Sequence, residues 1–168
     1  AADAVRALHA CGIDKVVMMT GDNRKTAEAV AAQVGVDEVY AEVLPEDKAA
    51  FIRAEKAAGR TVIMIGDGVN DSPALSEADA GIAISTGAAI AREIADITIA
   101  SEDLFELVTL RKLSTELMAR IRRNYRFIVG FNLGLILLGV AGILPPTTSA
   151  LLHNASTLGI SLRNMTDL

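Results

Sequence analysis

The sequence predicts an α/β domain built on a parallel sheet, followed by a long helix and a hydrophobic helical hairpin. Three observations lead there. Short apolar runs alternate with helical stretches over residues 1–102, two polar glycine-containing turns each follow such a run, and residues 127–144 (FIVGFNLGLILLGVAGIL) carry no charge. Apolar strands separated by helices imply parallel pairing with helices covering both faces.

The elements follow in order. Residues 2–10 read as a helix closed by Gly12, with Val5, Leu8 and Ile13 spaced to share a face. KVVMM at 15–19 is a short strand ending at Thr20-Gly21-Asp22-Asn23. Residues 25–34 are helical up to Gly35, and 38–41 form a short strand. Pro45 suits the first turn of a helix running to Ala58 and stopped by Gly59. TVIMI at 61–65 is β-branched and apolar, the mark of a buried strand. A short helix at 71–78, a strand at 81–85, a small helix at 88–95 and a strand at 96–100 complete the pattern.

Asp103, with Glu106 three residues on, starts a long helix whose Leu104, Leu107, Leu110, Leu113 and Leu117 form an apolar stripe. Arg120, Arg122, Arg123 and Arg126 close it. Basic residues beside a hydrophobic stretch mark the cytoplasmic side. Eighteen uncharged residues just suffice for a bilayer core of about 30 Å. The expected division is therefore a partial α/β domain at 1–102, a cytoplasmic stalk helix at 103–126, a transmembrane helix at 127–144, and a weaker, truncated transmembrane helix at 147–168 after Pro145-Pro146. Because the helical pattern is already running at Ala1, the chain is expected to begin within a domain.

Composition narrows the function. Of 168 residues 51% are apolar, high for a wholly soluble protein, and the excess lies beyond Arg126. A net charge of −5 without a basic, aromatic-bearing stripe argues against nucleic acid as a partner. Cys11 is the sole cysteine, which excludes a disulfide framework and a CxxC metal pair.

The strongest chemical signal is Gly66-Asp67-Gly68-Val69-Asn70-Asp71-Ser72-Pro73-Ala74-Leu75. Two carboxylates four residues apart, on a glycine-containing turn after an apolar strand, make an oxygen-rich site of the kind Mg²⁺ takes together with phosphate oxygens and water. Asn70 adds an amide donor. A loop that merely caps the following helix would use Asp71, yet it would not call for two acids, an amide and two glycines. Thr20 and Gly21 place a hydroxyl and a backbone N–H at a strand-to-helix turn, a cradle for an oxyanion. Lys48 sits early in its helix, where the dipole disfavours a cation unless an anion is near.

TGDN, LPEDK and GDGVNDSPAL, in that order, resemble the phosphorylation domain of the P-type ATPases, within the haloacid dehalogenase superfamily. ADAGIAISTGAAIAREIADITI is similar to the same family's run toward its stalk helix, so the resemblance covers essentially the whole chain. It implies a partial haloacid dehalogenase-like (Rossmann-like) sheet and an ATP-driven cation pump working through an aspartyl phosphate. By the same resemblance Asp67 and Asp71 hold Mg²⁺, Thr20, Gly21 and Asn70 contact the phosphoryl group, Lys48 offsets its charge, and Asp22 organises the nucleotide side. The nucleophile motif DKTGT and a nucleotide-binding domain are absent from this sequence, so ATP would be handled with the N-terminal remainder of the polypeptide and the chain alone is expected to be inactive. A membrane-anchored Mg²⁺-dependent phosphatase of the same superfamily is the alternative.

Two closing helices resemble the heavy-metal branch, which implies a multi-pass protein of the plasma or inner membrane, with residues 1–126 cytoplasmic and lipid and a divalent transition metal as partners. Intramembrane polar groups mark substrate paths. His153, Asn154, Ser156 and Thr157, with Asn132 and Tyr125 on the preceding helix, offer nitrogen and oxygen donors suited to a borderline divalent ion. Hydrogen bonding to a neighbouring helix explains the same residues equally well.

Overall fold

The computed structural model describes residues 2–66, 70–84, 94–100 and 103–165, which divide into two compact units meeting between Thr109 and Leu110. The first unit contains helix α1 (Ala2–Ala10), strand β1 (Val17–Met19), α2 (Arg24–Val34), β2 (Glu38–Tyr40), α3 (Pro45–Ala57), β3 (Ile63–Gly66), α4 (Ser72–Glu77), β4 (Ala80–Ile84) and β5 (Ile97–Ile99). The small helix expected at 88–95 lies almost wholly outside the described residues.

All pairings among these strands are parallel. β1 pairs with β2, with Val17 opposite Glu38, and β3, β4 and β5 form a second ladder with Ile63 opposite Ala80 and Ile82 opposite Ile97. The single sheet read from the sequence is thus two ladders among the described residues. Hydrophobic packing joins them: Ile52 of α3, Met64 of β3, and Ala74 and Leu75 of α4 form one cluster, and Met19 at the end of β1 packs against it. Ile52 and Leu75 are fully buried, worth about 1.5–3 kcal/mol each.

Coverage of both faces holds for β4, whose Gly81, Ile82 and Ala83 are buried, but not for β3. There Met64 points inward while Ile63 and Ile65 are exposed. Strand side chains alternate, so an apolar run such as TVIMI shows the same sequence whether one face is covered or two.

Local signals set the helix ends. Asn23 caps α2 by accepting from the Thr26 backbone N–H at 3.0 Å, and Gly35 closes it with φ of 76°, a conformation that costs glycine little. Pro45 opens α3, and the Asp47 carboxylate reaches back to the Leu44 N–H.

In the second unit, helix α5 (Phe105–Val140, which begins in the first unit) runs through Arg126 without a break, so the change of composition there ends no element. Asp103 caps it through the Phe105 N–H at 2.9 Å. Leu107 and Val108 are buried, but Leu113 and Leu117 are exposed, so the leucine stripe is covered only at its start. After Val140 the chain turns at Gly142, with φ of 72°, and Pro145 caps α6 (Pro146–Asn164).

The transmembrane helices expected at 127–144 and 147–168 are not shown by this geometry. No helix among the described residues is long and apolar enough to cross a membrane. The reason is physical: α5 stops at Val140, leaving about 21 Å of uncharged helix against about 30 Å of hydrocarbon. α6 is interrupted by His153, Asn154, Ser156, Thr157 and Arg163. The two helices share polar contacts within their unit, His153 Nδ1 meeting Asn132 Oδ1 at 2.8 Å and Asn124 Nδ2 donating to Asn164 Oδ1 at 2.7 Å.

Candidate phosphoryl-transfer site

Two turns leave the carboxyl ends of β1 and β3, where ligands bind in open parallel sheets. At the first, the Thr20 backbone N–H donates to Tyr40 O at 3.0 Å, and Val43 N–H donates to Thr20 O at 3.0 Å. The turn is therefore stitched to the chain leaving β2. The Thr20 hydroxyl accepts from the Asp22 N–H at 3.1 Å and donates to Asp22 Oδ2 at 3.2 Å. Gly21 is exposed, and a Cβ added there would come no closer than 3.8 Å to Val43 O, so glycine is not required by packing.

At the second turn Asp67, Gly68 and Val69 lie outside the described residues, so the carboxylate expected to bind Mg²⁺ directly has no described placement. Asn70 is exposed and Asp71 is buried. Asp71 occupies the N-cap of α4 at φ −96°, ψ 0°, yet its side chain makes no capping hydrogen bond. It turns instead to Lys48 of α3, whose Nζ is 2.7 Å from Oδ1. This disposes of simple capping as its role.

The other oxygen of Asp71 faces Gly66. A Cβ built on Gly66 would lie 2.8 Å from both Asp71 Cβ and Oδ2, closer than atoms tolerate. Glycine at the end of β3 is what lets this carboxylate fold in over the strand. Lys48 thus has its anion in the first turn of α3, and α3 packs on α4, holding the pair in register.

The donor set is oxygen-only and includes a carboxylate held in a cradle that a Cβ would fill, which fits a hard cation such as Mg²⁺. Asp71 alone does not complete a site, since no three His, Cys, Asp or Glu side chains converge to hold a metal among the described residues. The same holds around His153, which Asn132 accompanies while Ser156 and Thr157 donate to the His153 carbonyl at 2.8 and 3.0 Å. Asn154 and Tyr125 are exposed and make no contribution to that pair.

One feature had no sequence signal. A cleft of about 240 Å³ opens at the carboxyl ends of β1 and β2, lined by Met19, Tyr40, Glu42, Val43, Asp47 and Phe51 among others. Tyr40 and Phe51 meet as a tilted pair with ring centroids 5.1 Å apart, and Glu42 has a positive φ of 57°, a conformation its residue type does not announce.

Comparison with known proteins agrees with this architecture. The family model of the haloacid dehalogenase-like hydrolases matches residues 1–79. The chain is 49% identical over 149 residues to copper-transporting ATPase 2 of Rhizobium meliloti (strain 1021), covering 89% of this chain and 18% of that protein. It is 42% identical over 161 residues to the manganese-exporting P-type ATPase of Mycobacterium leprae (strain TN), covering 95% and 22%. A crystal structure of a zinc-transporting PIB-type ATPase in its E2.Pi state superposes with a TM-score of 0.88 at 32% identity, over 96% of this chain and 26% of that one. The chain thus spans about a fifth of the length of the curated relatives it matches.

Proposed function

The chain belongs to the heavy-metal branch of the P-type ATPases, and from that premise we propose that it supplies the Mg²⁺-binding acids and a helix pair of an ATP-driven transition-metal pump. The observation that carries this reading is Asp71, withheld from capping α4 and held instead by Lys48 against the glycine at the end of β3. Asp67 and Asp71 would hold Mg²⁺, which supplies charge neutralisation for phosphoryl transfer. Thr20, Gly21 and Asn70 would orient the phosphoryl oxygens, Lys48 would balance their charge, and Asp22, locked to Thr20, would fix the turn toward the nucleotide.

The aspartate that accepts the phosphoryl group is not among these residues, because no DKTGT stretch occurs in the sequence. Phosphorylation therefore belongs to the complete protein, and the 168-residue chain by itself would not hydrolyse ATP. The relatives named above transport copper, manganese or zinc, which favours a transition-metal cargo without choosing one. His153 and Asn132 would contribute a nitrogen and an oxygen to its path, with other helices of the complete pump supplying the rest. The helix pair would sit in the membrane among those helices, which would cover its polar residues.

The test is transfer of labelled phosphate from ATP to the complete protein. Metal-stimulated, Mg²⁺-dependent labelling is expected, with Asp71→Asn reducing it about tenfold or more. Undiminished labelling in that variant would remove Asp71 from the magnesium site.

A further inference from the structure

Within the second unit, one stretch carries charge of a single sign that phosphoryl transfer does not use. From Leu117 to Met165 the sequence has five arginines, at 120, 122, 123, 126 and 163, and no aspartate, glutamate or lysine. The structure gathers all five at one end of the helix pair. Arg163 of α6 donates to the side chain of Asn124 on α5, Arg120 donates to the Arg163 carbonyl at 2.9 Å, and Asn124 holds Asn164 through its amide. Asn124 is itself buried. Each residue of a helix turns about 100°, so Arg122, Arg123 and Arg126 share a side of α5 other than the one Arg120 and Asn124 turn to α6. All three are exposed. The arginines therefore lie at one level along the helix pair, three of them together on one side of α5.

That level has a depth. Residues 120–126 rise about 9 Å along α5, comparable with the polar headgroup layer of about 5–8 Å on each side of a bilayer. Tyr125, exposed within it, is of the type that sits at headgroup level. Directly beyond it Phe127, Ile128, Val129, Leu133, Ile136 and Leu137 are all exposed, an apolar surface water does not favour. Like charges held together beside apolar surface call for an anionic, amphiphilic partner.

We propose that this arginine collar, with Asn124 as the residue that positions Arg163, is a binding site for anionic phospholipid headgroups. The inference rests on the reading that the helix pair meets lipid, and adds a requirement for negative headgroup charge. Guanidinium groups suit phosphate by geometry as well as by charge.

The test uses the 168-residue chain with vesicles of phosphatidylcholine alone and vesicles in which phosphatidylglycerol replaces part of that lipid, separated by flotation. Binding is expected to be stronger on the anionic vesicles and to weaken with salt. Arg122→Gln with Arg123→Gln should lower anionic-vesicle partitioning roughly ten- to thirty-fold, leave phosphatidylcholine partitioning unchanged, and keep the helical circular dichroism. The corresponding lysine pair should retain most of the binding. Equal partitioning to both vesicles, or an unaffected glutamine variant, overturns the collar while leaving lipid contact standing. Failure to bind either vesicle overturns both.

Discussion

Lys48 and Asp71 stand 23 residues apart in sequence, yet their charged atoms meet at 2.7 Å with only 14% and 12% of their side chains exposed. A pair this buried is costly to break from one side, because the remaining charge loses its partner. Lys48→Met should destabilise the chain by about 3 kcal/mol, and Asp71→Leu added to it should recover much of that loss. Denaturant unfolding of the four members of this cycle measures the coupling. Additive losses would mean that the two charges do not depend on each other.

Gly66 should tolerate no side chain. Gly66→Ala places a methyl group against Asp71, and the expected cost is about 1–3 kcal/mol, with phosphorylation of the complete pump falling as for Asp71→Asn. Gly81→Ala meets the Leu75 carbonyl at 2.7 Å and should cost a similar amount of stability. Comparing labelling at equal folded fractions separates the two: only Gly66→Ala should remain defective.

The turn carrying Thr20 leads into a helix whose first bond is made by a side chain. Asn23→Ala removes the acceptor for the Thr26 N–H and should cost about 1 kcal/mol. Asn23→Asp should retain most of the stability. Thermal unfolding checks both.

Acid sensitivity should pass partly through Asp79. Its carboxyl accepts from the Val62 N–H at 2.8 Å, which, with Lys56 nearby, lowers its pKa below the ordinary 3.8. A lowered folded-state pKa means stability that is present above 3.8 and is lost as pH falls through the folded value. Asp79→Asn should begin less stable at neutral pH and lose less on acidification below 3.8. Parallel stability–pH curves for the two proteins would contradict this.

For cargo, His153→Ala in the complete pump should change which of copper, manganese and zinc stimulates phosphorylation. An unaltered profile would leave the contact with Asn132 as a helix-to-helix bond.

Much of the first unit was legible because its signals are local. The runs ending at Met19 and Ile65 became strands, Pro45 started a helix, and the turn at Thr20 fell at a strand end as read. Other features had no local mark. Nothing in LPEDK names Asp71 as the partner of Lys48. The exposure of Ile63 and Ile65 depends on what covers β3. The passage of α5 through Arg126 follows from backbone hydrogen bonding, which is indifferent to the change from charged to apolar side chains.

Sequence by itself therefore determined the residue types, their order and the helix and strand punctuation, since capping, turn formation and periodicity act within a few residues of chain. Tertiary structure decided which charges pair, how closely Asp71 approaches Gly66, where the uncharged helix stops, and that Arg163 joins the arginines of α5. Those outcomes rest on contacts between segments distant along the chain, where packing and desolvation, rather than local propensity, set the energy.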